Sequence, residues 1–567
     1  MSRLNDLTLS HDTGDTHVPL IEATIGEHFQ AIVQRFPDRE ALVSCHQNVR
    51  MSYRELDRES SRLASALLCR GIGQGDRVGI WAHNSAEWLL LQIATAKIGI
   101  VLVNINPAYR VTELEYALNK VGCKMLITMT AFKTSDYLGM VRELAPEVGD
   151  CTPGNLNAKR APLLKTVVQL GTQKVAGMLG FADLLARGDV NDPAVAKVGA
   201  SLKAADPINI QFTSGTTGFP KGATLTHRNI LNNGFFIGEA MQLTEADRLC
   251  IPVPLYHCFG MVLGNLAALT HGSTIVYPND GFDALTVLEA VQAEKCTALH
   301  GVPTMFIAEL AQARFAEFDL SSLRTGIMAG SPCPIEVMKK VLSDMHMKEV
   351  TIAYGMTETS PVSCQSTTTT PLARRVSTVG RVQPHLVIKV IDPETGTTVP
   401  IGETGEFCTK GYSVMHGYWG DDAKTREAID GDGWMHTGDL ATMDAQGYVN
   451  IVGRIKDMVI RGGENVYPRE VEEFLYQHPA VSDVQVIGVP DEKYGEELCA
   501  CIILKPGLQL TADDIRAFCT DKIAHYKVPR HIHFVDAFPM TITGKVQKFV
   551  MRDQMKTLLG LGEIKTA

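Results

Sequence analysis

Leucines at 56, 63, 67 and 68 recur on one face of a 3.6-residue period, directly after Ser52-Tyr-Arg-Glu55. A serine with glutamate three residues on is a capping box, so the pattern predicts a helix from there to Gly71. Short apolar runs at 77–81, 98–103 and 124–129 predict strands, with helical segments between them. The most apolar stretch, 88–105, is interrupted by Gln92, Lys97 and Asn104. A buried helix followed by a core strand accounts for it better than a membrane span. Strand and helix alternate again over 208–354, which means an α/β layer architecture.

The texture changes at 376–418, where short alternating strands are broken by Gly and Pro, as in HLVIKVIDPETG. A small β subdomain is expected there. After Gly453 the pattern becomes strand, a cap at 511–514, helix and strand. The expected fold is therefore a large α/β N-terminal domain with a β subdomain (1–455), followed by a small α+β C-terminal domain (456–567).

Composition narrows the function classes. At 567 residues the chain exceeds what one hydrophobic core usually serves. A net charge of -10 with both signs mixed along the chain argues against a nucleic-acid partner. The 13 cysteines are scattered, no CxxC occurs, and reduced thiols in the cytoplasm are expected. Cys499 and Cys501 are expected on opposite faces of a strand, unable to share a metal. The N-terminus has no apolar signal core and no transmembrane segment is expected. Oligomeric state is left open.

The densest chemistry lies in Phe212-Thr213-Ser214-Gly215-Thr216-Thr217-Gly218-Phe219-Pro220-Lys221-Gly222, after an apolar strand. Glycines let backbone N–H groups approach phosphate oxygens, and Lys221 supplies a mobile positive charge. No Gly-Lys-Ser/Thr stands at the Walker A offset. The segment resembles the phosphate loop of the adenylate-forming superfamily, which includes acyl-CoA synthetases, peptide-synthetase adenylation domains and luciferase. Six further signatures follow in that family's order: PLYHCFG, AGSPCP, AYGMTE, GWMHTGDL, GRIKDMVIRGGENVYPREVE and TITGK.

The resemblance implies roles residue by residue. Thr213 to Gly218 and Lys221 would cradle phosphate, with Gly330 and Ser331 of AGSPCP also at the nucleotide. Tyr354 would pack on adenine, Thr357 would contact the α-phosphate, and Glu358 would hold Mg²⁺. Asp439 and Arg454 would bind ribose. Lys545 would offset charge at the reacting carboxylate, and His257 would lie beside the acyl tunnel. Lys456 matches the family hinge, and Gly463 belongs to the face (462–467) that meets CoA after the turn. The cofactors and substrates implied are ATP, Mg²⁺, coenzyme A and a carboxylic acid. The apolar run from Gly260 to Gly264 favours an unsubstituted acyl chain over an amino acid, with the two glycines taken as tunnel wall. The expected activity is a medium-chain acyl-CoA synthetase. The alternative is an acyl-AMP ligase that loads a separate carrier protein.

Overall fold

The reciprocal cap forms as expected. Ser52 N–H donates to Glu55 Oε2 at 2.8 Å and Glu55 N–H to Ser52 Oγ at 3.2 Å, opening the helix Tyr53–Cys69. The computed structural model describes residues 7–213, 220–330, 333, 335–462, 464–491, 493–520, 522–541 and 545–561.

The apolar stretch after it is a helix, Ala86–Ile98, and a strand, Val101–Asn104. Gly99 ends the helix at φ 70°, a left-handed position suited to glycine. Its three polar interruptions all find partners. Lys97 Nζ donates to Asp57 Oδ1 at 2.6 Å, Gln92 Nε2 to the Met261 carbonyl at 3.3 Å, and Asn104 Nδ2 to the Tyr256 carbonyl at 3.1 Å. Buried polar groups satisfied in this way orient the helix rather than weaken it.

Among the described residues the strands form two large sheets. One is eight-stranded: its order runs from Leu179–Gly180 through Thr166–Gln169, Met125–Thr128, Arg77–Trp81 and Val101–Asn104 to Pro207–Thr213. These strands are parallel, while Lys221–Thr226 and Gly417–Tyr418 close that edge antiparallel. The other sheet has nine strands with a parallel centre that includes Ala298–Gly301, Thr325–Ala329 and Glu349–Gly355. Helices buried between the sheets join their inner faces in one shared core. Both sheets end their parallel strands near 104, 213, 301, 329 and 355, and ligands of open α/β sheets gather at such carboxyl ends.

The small β subdomain is an antiparallel five-stranded sheet: His11–Thr13, Leu386–Ile391, Gly405–Gly411, Met435–Met443 and Val449–Arg454. It differs from the expectation at three places. Its edge strand comes from the N-terminus, it continues past 418 to 454, and Gly417–Tyr418 leaves it to pair with Ala223 and Thr224 in the eight-stranded sheet. The strands Val459–Arg461, Val481–Asp491 and Gly495–Leu504 then build a separate sheet with its own core. Cys499 and Cys501 correct the sequence reading. Residues two apart on a strand share a face, and both cysteines pack with Met551 and Met555 of the helix Lys548–Leu559. Among the described residues no helix is long and apolar enough to cross a membrane.

Candidate active site

Each expected site residue within the described set lies at or beside the carboxyl ends of the parallel strands, or on the strands and turns facing them. Thr213 ends Pro207–Thr213, and its Oγ1 donates to the Lys221 carbonyl at 3.4 Å, closing the neck of the glycine-rich segment. Ser214, Gly215, Thr216, Thr217 and Gly218 lie outside the described residues, as do Ser331 and Gly463.

Lys221 is joined to Glu358 through a residue the sequence reading did not select. Lys221 Nζ donates to Tyr418 Oη at 3.0 Å, and Tyr418 Oη donates to Glu358 Oε1 at 2.8 Å. The ammonium also sits 4.2 Å from the Tyr418 ring centroid, within cation–π range. Glu358 is buried within the short turn Thr357–Thr359, and Met415 N–H donates to its carbonyl at 2.9 Å. Tyr418 gave no local signal, because a tyrosine in a Gly-flanked β segment is common. Only its shift to the other sheet brings it here.

Asp439 takes Tyr354 on one oxygen and Arg454 on the other. Tyr354 Oη donates to Oδ2 at 2.7 Å, and Arg454 Nε to Oδ1 at 2.8 Å. Each carboxylate oxygen keeps a further lone pair, so two acceptor sites remain. The Tyr354 ring meets Phe407 edge-on at 5.2 Å. Thr437 stabilises the turn, donating to the Phe407 carbonyl at 2.6 Å and accepting the Asp439 N–H at 3.1 Å. Burial and then Asp439 hold the Tyr354 hydroxyl protonated, and Asp439 raises the Arg454 pKa further. Gly330, at φ 95°, follows the strand Thr325–Ala329, where a Cβ would stand 3.2 Å from Val302 Cγ1. Lys456 lies exposed in the turn Ile455–Asp457 that links the five-stranded sheet to the C-terminal one.

Lys545 comes from the far end of the chain. Thr541 N–H donates to its carbonyl at 2.7 Å and its own N–H to Thr541 Oγ1 at 3.0 Å, a doubly tied turn. Burial, then the Arg454 guanidinium, lower its pKa, while Asp439, Cys258 and Glu358 oppose them. The same side chain lines a small cavity with Val253, Pro254, His257, Phe259, Val302 and Gly330. Burial, reinforced by Lys545, holds His257 at a pKa of about 3, so its imidazole is neutral. Phe259 N–H donates to its Nδ1 at 3.2 Å, which leaves the proton on Nε2.

The apolar run expected beside the acyl tunnel is a π-helical segment, Phe259–Leu266. This rare winding recurs at functional sites. Two side chains missed by the sequence reading hold it in place. His300, buried in the strand Ala298–Gly301, pairs its Nε2 with the Leu263 carbonyl at 2.9 Å and accepts the Ile327 N–H on Nδ1. Gln211 accepts the Cys258 thiol at 2.9 Å. At Gly260 and Gly264 an added side chain would meet the protein itself. A Cβ on Gly260 would lie 2.4 Å from the Pro254 carbonyl oxygen, and one on Gly264 would lie 2.8 Å from Ile251 Cδ1. Both glycines allow close packing inside the protein.

The arrangement sets two partnered carboxylates, Glu358 and Asp439, beside Lys221 and Arg454, and places Lys545 and a neutral histidine at a small apolar recess. Two family models match the chain. Residues 29–419 match the AMP-binding enzyme model, and residues 470–545 match the AMP-binding enzyme C-terminal domain. YngI of Bacillus subtilis (strain 168) is 50% identical over 544 residues, covering 96% of this chain and 99% of that protein. The mitochondrial medium-chain acyl-CoA ligase ACSF2 of Danio rerio is 47% identical, covering 98% and 92%. The crystal structure of the anthranilate CoA ligase AuaEII in complex with anthranoyl-AMP superposes with a TM-score of 0.85 at 28% identity, covering 96% and 99%.

Proposed function

The chain belongs to the AMP-binding enzyme family, and on that premise we propose that it is an AMP-forming acyl-CoA synthetase acting on a medium-chain acid. The observation that carries this reading is the recess in which Lys545 meets apolar Val253, Phe259 and Val302. An amine at the mouth of an apolar pocket suits a carboxylate with a hydrocarbon tail. Among the described residues no acidic side chain lines that recess to pair a substrate ammonium, so an amino acid fits it poorly.

In the first half-reaction the acid's carboxylate oxygen attacks the α-phosphorus of ATP, and pyrophosphate leaves with the electrons of the broken P–O bond. Lys545 offsets the charge that accumulates between carboxylate and α-phosphate. Lys221, held by Tyr418, meets the departing phosphates, and Thr357 contacts the α-phosphate. Tyr354 flanks the adenine while Asp439 and Arg454 take the ribose hydroxyls. His257 donates from Nε2 without adding charge. Glu358, a buried carboxylate beside the phosphate side chains, is of the type that holds Mg²⁺, which neutralises phosphate charge when bound. In the second half-reaction the CoA thiol attacks the acyl carbonyl, AMP leaves, and the thiol proton is released.

The unit 456–567 is assigned the mobile role, turning about Lys456 so that Lys545 withdraws and the face carrying Gly463 approaches CoA. The thirteen cysteines are all free thiols, which supports a reducing compartment, the cytoplasm. A test follows directly. The purified protein should form AMP and pyrophosphate only when acid, ATP and Mg²⁺ are combined, and acyl-CoA once CoA is added. The preferred acids should lie between acetate and palmitate. ADP formation, or acyl-adenylate that never reaches CoA, would overturn the assignment.

A further inference from the structure

A cluster outside this site carries soft and hard donors together. Glu406 and Cys408 stand two apart on Gly405–Gly411 and share a face, and Cys408 pairs in register with His436 of Met435–Met443. The three ligand atoms all lie within 4.8 Å of one another. His436 Nδ1 is 3.0 Å from Glu406 Oε2 and 3.6 Å from Cys408 Sγ. Zinc bond lengths at the tetrahedral angle put sulfur and nitrogen about 3.6 Å apart, and oxygen and nitrogen about 3.4 Å apart. The sulfur already has that spacing, and the carboxylate needs to retreat by only a few tenths of an ångström.

The other ring nitrogen carries an independent sign. His436 Nε2 is 3.4 Å from Asp430 Oδ2, while Asp430 Oδ1 is anchored by the N–H groups of Asp432 and Trp434. A carboxylate behind a ligating imidazole is the usual outer partner that fixes its tautomer at a metal. Cys408 is buried, whereas Glu406 and His436 keep some exposure, which gives an ion a path from solvent.

We propose that Glu406 Oε2, Cys408 Sγ and His436 Nδ1 bind a thiophilic divalent transition-metal ion of the zinc type, with Asp430 orienting the imidazole and water completing the tetrahedron. Mixed sulfur, nitrogen and oxygen donors distinguish this site from the all-oxygen surroundings Mg²⁺ demands. Binding forms the metal–sulfur bond and releases the thiol proton to solvent, so affinity rises with pH. Burial and Glu406 keep that thiol protonated in the free protein. The groups acting on it are Glu406 and Asp430, which raise its pKa, Lys389, which lowers it, and the His436 ring 3.6 Å away; the Lys389 ammonium rests over the Trp434 ring at 4.3 Å. Glu406 also accepts the Gly438 N–H at 3.0 Å, one residue before Asp439, so a bound ion would brace the turn that carries Asp439.

The test uses Co²⁺ as a spectroscopic probe on the chelator-stripped full-length protein. One equivalent should produce a thiolate-to-cobalt charge-transfer band that Zn²⁺ displaces and excess Mg²⁺ does not. Cys408→Ser should abolish the band, and Asp430→Asn should weaken Zn²⁺ binding about 10–100-fold. A band that persists undiminished in Cys408→Ser would assign the thiolate to another cysteine and overturn the proposal, as would its absence from the parent protein. Should Cys408→Ser fail to fold, Asp430→Asn decides the matter, and an unchanged Zn²⁺ affinity in that variant would also overturn it.

Discussion

Lys545 is one lysine among many in the sequence, and its surroundings single it out. Burial and then the Arg454 charge lower the pKa of its ammonium, while Asp439, Cys258 and Glu358 raise it. A charge so placed is worth far more to a transition state than one in water. Lys545→Ala should cut ATP–pyrophosphate exchange by about 10²–10³-fold, the loss seen for one preorganised stabilising group. Thioester formation from supplied acyl-adenylate should persist, and an equal loss in both assays would contradict the role. Lys545, Asp439 and Glu358 were legible in the sequence because each sits in a short signature. Tyr418, Gln211 and His300 were not, since each acts only through a partner distant in sequence. Tyr418 and Lys221, for example, are 197 positions apart.

At the scale of elements, the segment Phe259–Leu266 shows that an apolar pattern does not by itself settle which neighbours a residue meets. Gly264 abuts Ile251, which is buried in the core. Gly264→Leu should therefore destabilise the protein by roughly 1–3 kcal/mol through overpacking, read as a lowered melting temperature. Val302 lines the recess beside Lys545, where a larger side chain would leave less room for an acyl chain. Val302→Phe should shorten the longest acid accepted, measured with a graded acid series, while exchange with a short acid stays near the parent rate. The same lesson holds for Cys499 and Cys501. Strand assignment was right, but face assignment required counting residues two apart as neighbours on one side.

At the scale of the whole molecule, two properties depend on how distant parts meet. Lys456 lies in a 3₁₀ turn, where φ is near −50 to −70°, a range proline shares. Lys456→Pro should hold the turn as it stands, with Lys545 seated. ATP–pyrophosphate exchange should then stay near normal while acyl-CoA formation nearly disappears. Persistence of thioester formation in a folded variant would place the hinge elsewhere. The second property is acid stability. Burial lowers the pKa values of His227 and His300 from 6.5 to about 4. The unfolded chain binds these protons below pH 6.5 and the folded chain does not until about pH 4. Stability is therefore complete above pH 6.5 and is lost as pH falls toward 4. A depression of about two units is worth roughly 3 kcal/mol per group at its limit. The melting temperature should drop over that window, and His300→Gln should flatten the drop if it folds.

The sequence by itself determined the caps, the apolar helix and strand at 86–104, the alternation that means an α/β core, and the order of the signatures. These depend on sterics and hydrogen bonds spanning a few residues, which local chemistry dictates. Tertiary structure alone decided that the strand His11–Thr13 joins the far β sheet, that Gly417–Tyr418 crosses to another one, and that Asp439 is shared by Tyr354 and Arg454. It also decided that Lys545 faces Glu358 across 187 positions of chain. Such meetings come from the register of sheets and the burial of faces, and residues so far apart carry no shared local pattern that could announce them.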